Sequence, residues 1–478
     1  MSEIEPSGRQ SAPPPRGRGG ANFTEGSVAR HLVRLTGFMV MGMLSMNIAQ
    51  LVETVYLGIV GTKELAAIAF SMPITWGLMG LVRGLQIGAS SVIARSMGMG
   101  DRSQAARLAT HCELLVLVLA TIFLFLVGTY ADPIFGALGA DDEVRALAVA
   151  YTHIWLIGLI PFTLSMVGTG LLRDTGRAAS PGIIMTTGSV LQMAFCPFLI
   201  FGLLGFPALG VEGAAWSYVA ARSLTFFATA YLLVIRDRLI ILSLENVWQS
   251  WRDILHVGLP AMAASLIMPV SMLVITRLLA GYGAGVVAGY GVAGRVDQML
   301  TMVIMSLASS IAPFVGQNWG AGKYDRVHEA LRIAYAFSIG WGIFSFILMA
   351  LLGGPIVALI NQDPEVVETA ARYLLIVPFS IGFMGLMQVS SSTFNALGKP
   401  FPPLVISLLR SVVLYVPLAI AGSWLFGYVG IFWALTLTSV VLGVVAWGWC
   451  RGVVRSEIVV RARADAGSAG TGALAPAD

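Results

Sequence analysis

The chain has 478 residues, of which 57% are hydrophobic and only 11% charged, with a formal net charge of +4. A soluble protein carries about 25% charged residues, so too little polar surface is available here to keep a soluble domain dispersed. The mild positive charge sits beside apolar segments, which points to orientation in a bilayer and not to nucleic acid.

In chain order, residues 1–30 begin with a polar run rich in Pro, Gly and Arg. They lack the apolar core of a cleaved signal peptide and read as a disordered cytoplasmic tail. Twelve apolar windows follow, at 34–60, 65–93, 108–131, 147–170, 181–206, 213–235, 255–280, 287–316, 331–360, 372–396, 403–425 and 428–451. Each is long enough for one crossing, which takes about 20 residues. Between the sixth and seventh, 239–254 mixes apolar and charged residues with Trp248 and Trp251 and predicts a helix lying in the interface. Residues 452–478 read as a second cytoplasmic tail. The expected fold is an all-α integral membrane protein with twelve transmembrane helices. They form two pseudo-symmetric six-helix bundles, 31–238 and 255–451, joined by the interfacial linker.

Basic residues alternate between loops. Arg95, Arg102, Arg107, Arg173, Arg177, Arg236, Arg238, Arg252, Lys323, Arg326, Arg332 and Lys399 fall on one side, and Lys63, Arg145 and Arg372 on the other. The positive-inside rule puts both termini in the cytoplasm. The chain also repeats at an offset of 222: Gly98 and Gly100 pair with Gly320 and Gly322, Gly176 with Gly398, and Pro181 with Pro403. Six crossings return a chain to its starting side. The two halves are therefore expected to be related by an axis along the membrane normal, with a substrate cleft between them.

The run ETVYLGIVGTKELAAIA at 53–69 resembles a segment of multidrug and toxic compound extrusion (MATE) transporters. SMGMGDRSQAAR (96–107), GQNWGAGKYDRVHEA (316–330), GLLRDTGR (170–177), FNALGKP (394–400) and GVEGAA (210–215) resemble further motifs of that family, in its order. The resemblance spans about residues 30–450. It implies a twelve-helix antiporter that expels organic, often cationic, compounds in exchange for H+ or Na+. A lipid-linked saccharide flippase of the same broad superfamily and a Na+-coupled exporter are the alternatives. The expected location is the plasma membrane, a cell inner membrane, with the bilayer and small organic substrates as partners. The chain is expected to act as a monomer and without a cofactor.

Glu53 is the residue with the most chemistry. It lies inside the first span, where a charge costs at least ~2.5 kcal/mol, so it is by default a functional candidate. Apolar surroundings favour a neutral carboxyl, which suits a proton carrier. Asn47, Gln50 and Thr54 are its expected polar neighbours on one helix face. A hydrogen-bonded structural acid is the other reading. The resemblance sets Glu53 at the position of the family's coupling aspartate. It also sets Gln192 and Cys196 at the family's Asn-x-x-x-Asp pair and Tyr218 at a helix-six threonine. The family's second-half acids fall on Met268 and near Met384 or Gly385. A Na+ site is hard to build without them, because hard cations take several oxygen ligands. H+ is therefore expected in preference to Na+.

Asp297 beside Arg295 is a possible second-half polar site, with local charge satisfaction the simpler reading. Arg83, Arg222, Arg277 and Arg410 lie within spans and either line the cavity or snorkel. Glu113 is expected at the interface. The string Gly289-x-Gly291-x-x-Gly294 sits in an apolar span without a strand before it, so it reads as helix packing and not as a dinucleotide site. The three cysteines and five histidines show no ligand spacing, so no metal site is expected.

Overall fold

The computed structural model describes residues 23–241 and 243–471. The first half holds α1 (Val28–Val60), α2 (Thr62–Gly98) and α3 (Arg102–Ala137). Its fourth crossing is α4 (Asp142–Ile157) with α5 (Leu159–Asp174), followed by α6 (Ser180–Phe201) and α7 (Gly210–Ala230). The second half holds α8 (Val247–Ala280), α9 (Ala284–Gly320) and α10 (Tyr324–Ile360). Its tenth crossing is α11 (Pro364–Ile376) with α12 (Ile381–Ala396). The eleventh is α13 (Phe401–Leu408) with α14 (Val416–Phe426), and the twelfth is α15 (Tyr428–Thr471). Among the described residues, eleven helical stretches are long and apolar enough to cross a bilayer, and the pair α4–α5, bent by 51°, makes the twelfth. The chain is an all-helical, multi-pass membrane protein of twelve transmembrane helices in two pseudo-symmetric halves.

Part of the repeat is a backbone requirement. Gly100 and Gly322 have φ of +83° and +70°, and Gly176 and Gly398 have +100° and +76°. These values lie where an L side chain is strained, so the same turns recur in both halves on glycine. Gly98 and Gly320 serve another purpose. The carbonyl of Gln317 lies where a Cβ on Gly98 would sit, and the carbonyl of Arg95 lies where one on Gly320 would sit. Arg95 and Gln317 are themselves 222 residues apart. The contact is therefore reciprocal, as a two-fold axis through the seam between halves requires. Small residues continue up the seam, where Gly84 and Gly88 of α2 meet Met262 and Gly258 of α8. Without a hydrophobic drive between helices in lipid, such backbone approach is the main source of packing energy.

The seam is sealed at the face that carries the basic loops. Gln317 Nε2 donates to the backbone oxygen of Asp174 at 2.7 Å, and Arg95 Nη1 donates to that of Leu397 at 3.1 Å. On the opposite face, Lys63, Arg145 and Arg372 are each paired with acids: Glu143, Asp132 and Asp142, and Glu368. The unbalanced positive charge is thus concentrated on the basic face.

Three sequence expectations are corrected. The N-terminal tail was expected to run to residue 30, but residues 23–27 are docked and α1 begins at Val28; residues 1–22 lie outside the described residues. Phe23 is fully buried against His31 and Phe314. Its N–H donates to Gln317 Oε1 at 3.1 Å, and its carbonyl accepts from Asn318 Nδ2 at 3.2 Å and Arg326 Nη2 at 2.9 Å. A segment attached to the first half is thereby fixed to α9 and α10 of the second. No interface helix forms over 239–254. The described residues of 239–246 are not helical, and 247–254 are the first turns of α8. The linker rests on α3 instead, where His111 bonds Ser250 Oγ at 2.8 Å and the Ser243 carbonyl at 2.9 Å. The C-terminal tail is helical as far as Thr471, and 472–478 lie outside the described residues.

Phe23→Ala is expected to lower the thermal unfolding midpoint, because removing a buried Phe side chain typically costs about 3–5 kcal/mol. Scanning fluorimetry in detergent checks this. An unchanged midpoint would show that the segment holds nothing in place.

Candidate functional site

The bend in the fourth crossing begins the site. At Gly158 the chain comes so near α7 that an added Cβ would lie 3.2 Å from Val219 and 3.3 Å from Tyr218. Tyr218 is thereby set beside Trp155, with ring centroids 5.9 Å apart, and beside Phe162 at 5.7 Å. One turn along α7, Arg222 lies on the same helix face. Its guanidinium stacks 5.2 Å from the Tyr218 ring and 5.4 Å from the Phe162 ring. Gly188 of α6 makes the room, since a Cβ there would lie 3.3 Å from Arg222 Nη1.

From this platform a hydrogen-bond chain reaches α1. Arg222 Nη2 donates to Gln192 Oε1 at 3.1 Å, and Gln192 Nε2 donates to Glu53 Oε2 at 2.9 Å. Three helices, α1, α6 and α7, thus hold a carboxylate, an amide and a guanidinium in line. Gln192 and Arg222 are both buried. The arrangement balances the charge of Glu53 without a direct ion pair. Tyr151 of α4, Cys196 of α6 and Tyr218 also lie within its electrostatic reach.

The expected polar stripe on α1 divides. Asn47 Nδ2 points to Met302 Sδ of α9 at 3.9 Å, across the seam. Gln50 is exposed, and Thr54 Oγ1 returns its hydrogen to the Gln50 carbonyl at 2.8 Å. Neither joins Glu53. The cause is rotational: six residues carry Glu53 about 120° around the helix from Asn47. Gln192 and Tyr218 stand in the cluster with Glu53. Arg222 was only one of four ambiguous cations in the sequence, and its signal was its position four residues after Tyr218.

The second half holds an acid in a different setting. Asp297 has no ion pair with Arg295 among the described residues, and Arg295 is exposed. Local satisfaction by Arg295 is therefore corrected. The cation that acts on Asp297 is Arg410 of the eleventh crossing, and Asp297 Oδ1 is buried without a hydrogen bond. Tyr290, Tyr373 and Phe432 form an aromatic group nearby, with Tyr373 and Phe432 centroids 5.1 Å apart. Arg83 and Arg277 are exposed. Glu113 is also corrected. Both its carboxyl oxygens are buried, and Oε1 lies 3.2 Å from where a Cβ on Gly168 would be, so it faces α5 and not the interface.

A cavity of about 490 Å³ is lined by Arg95, Ser96, His256 and Trp319, apart from the Glu53 cluster. Among the described residues no three His, Cys, Asp or Glu side chains converge as a metal site would need.

Twelve crossings in two rotated halves, sealed at one end and each holding a half-buried acid within a span, define a membrane transporter and not an enzyme. The chain belongs to the MatE family, whose model matches residues 39–198 and 260–421, once in each half. It is similar to a FAD transporter of Shewanella oneidensis, 31% identical over 423 residues that cover 88% of this chain and 94% of that one. It is also similar to a probable multidrug resistance protein NorM of Thermotoga maritima, 23% identical and covering 78% and 83%. Among solved structures, a mutant of the Vibrio cholerae MATE transporter VcmN matches with a TM-score of 0.86 and 28% identity, covering 90% of this chain and 97% of that one.

Proposed function

We propose that the chain is an antiporter that exports organic compounds in exchange for protons, and that Glu53 carries the proton. The observation that carries this reading is the line Glu53–Gln192–Arg222 inside the first half. A titratable group held among hydrogen bonds in an apolar setting is the usual mark of a proton relay within a membrane. The basic face is the cytoplasmic one, with both termini on it, and the sealed seam makes this the outward-facing state. The protein works as a monomer in the plasma membrane. The two lobes are the halves that open with α1 and with α8.

A second reading concerns the substrate. The Shewanella relative is named for FAD, a flat aromatic molecule with a pyrophosphate. Arg83, exposed on α2 beside seam residue Gly84, is a guanidinium of the kind that binds phosphate in bidentate fashion. Efflux from proteoliposomes tests both readings, with ethidium and FAD as separate probes and pH and Na+ gradients imposed one at a time. We expect the pH gradient to drive efflux and the Na+ gradient to fail. Efflux driven by Na+ alone would overturn proton coupling. Efflux of ethidium but not FAD would end the flavin reading.

A further inference from the structure

We propose that Arg222 makes the first-half site selective for protons over Na+. This rests on the reading of Glu53 as the coupling acid. The argument is one of lone pairs. A proton needs one lone pair on one carboxyl oxygen. With Glu53 Oε2 accepting from Gln192, Oε1 remains to take it. Sodium needs several oxygens around it, each with a lone pair directed at the ion.

The oxygen best placed to share an ion with Glu53 is Oε1 of Gln192, and Arg222 Nη2 donates to it at 3.1 Å, drawing it to the guanidinium side. That bond also fixes the orientation of the amide. With its oxygen committed to the guanidinium, the amide must turn its NH2 toward Glu53. A cation at Glu53 would therefore meet amide hydrogens where it needs a ligand. Arg222 has little freedom to move aside, since it is buried, stacked between Phe162 and Tyr218, and seated against Gly188. The other titratable groups within reach are Tyr151 from α4, Cys196 from α6 and Tyr218 from α7. None is a carboxylate that would replace the missing ligand. Removing Arg222 frees the amide to flip and present its oxygen beside the carboxylate, which begins a Na+ site.

The test is ion binding measured by thermal shift on the full chain in detergent, with sodium chloride replacing choline chloride at constant ionic strength. Wild type should show no Na+-dependent shift. Arg222→Gln and Arg222→Thr should each gain an upward shift with Na+. The gain should vanish when Glu53→Gln is added. Arg222→Lys, which keeps a cation and a donor, should stay insensitive. A Na+ shift in wild type that Glu53→Gln removes would overturn the proposal. So would a folded Arg222→Gln or Arg222→Thr that ignores Na+. Because the shift reports binding and not transport, its outcome is separate from that of the coupling reading, which fails if Glu53→Gln transports normally or if a Na+ gradient alone drives efflux.

Discussion

Glu53→Gln is expected to fold and insert, yet to lose efflux driven by a pH gradient. The substituted amide keeps the size of the side chain and an oxygen that accepts from Gln192 Nε2, so the line to Arg222 can persist. What it removes is the ability to gain and lose a proton. Coupling between two bound species is typically worth about 1–3 kcal/mol, or about 5–150-fold. Erasing it should lower pH-driven efflux by about 5–150-fold. Glu53→Asp keeps the titratable group but draws it back by one methylene from Gln192, and should retain part of the rate. Asp297→Asn is the comparison, because Asp297 lies in the other half with its own cation, Arg410. If Glu53→Gln transports like wild type while Asp297→Asn does not, coupling belongs to the second half.

What the sequence made legible, and what it hid, follows from the kind of information each feature needs. The twelve crossings were readable because a bilayer demands about 20 apolar residues in a row, and nothing but a local count is required. The repeat was readable because Gly100, Gly322, Gly176 and Gly398 answer a local backbone demand, a positive φ. Docking of Phe23 was hidden, since a single aromatic in a polar run has no periodicity, and its partners Gln317, Asn318 and Arg326 lie in the other half. The first turns of α8 were not legible because a continuing helix and an interface helix have the same mixed composition. Within the site, the resemblance put Glu53, Gln192 and Tyr218 at matching positions. The partnership with Arg222 depends on how α1, α6 and α7 are rotated about their axes. That phase is set by close approaches such as Gly158 to α7, which no single helix reveals. The division of Asn47 from Glu53 is the same problem in reverse: two residues thought to share a face belong to different neighbours.

Gly98→Leu and Gly320→Leu are expected to have matching and large effects, because the seam is symmetric. At each position the obstacle is a backbone carbonyl, that of Gln317 or Arg95, which lies in a helix and has no rotamer to yield. The halves must therefore separate at the basic face. Overpacking in a well-filled interior typically costs about 1–3 kcal/mol, and here the cost falls on the sealed state alone. A ligand or substitution shifts a conformational equilibrium only by its differential effect on the two states, so the whole penalty moves the population. Transport should fall by about 5–150-fold, since each 1.4 kcal/mol is about ten-fold. Gly77 and Gly291, on the same two helices but with nothing near their Cβ positions, are the controls. Alanine at either should leave transport intact, since it favours the helix and touches nothing. The opening itself is visible by thiol labelling. Ala94 is fully buried in the seam against Gly316, and a cysteine placed there should react slowly with an impermeant reagent in the parent chain. Adding Gly98→Leu or Gly320→Leu should speed that reaction from the basic face. If labelling and transport both stay at the parent values, the contact between Gly98 and Gln317 does not seal the seam. If only one of the two substitutions has an effect, the halves do not close symmetrically about this axis.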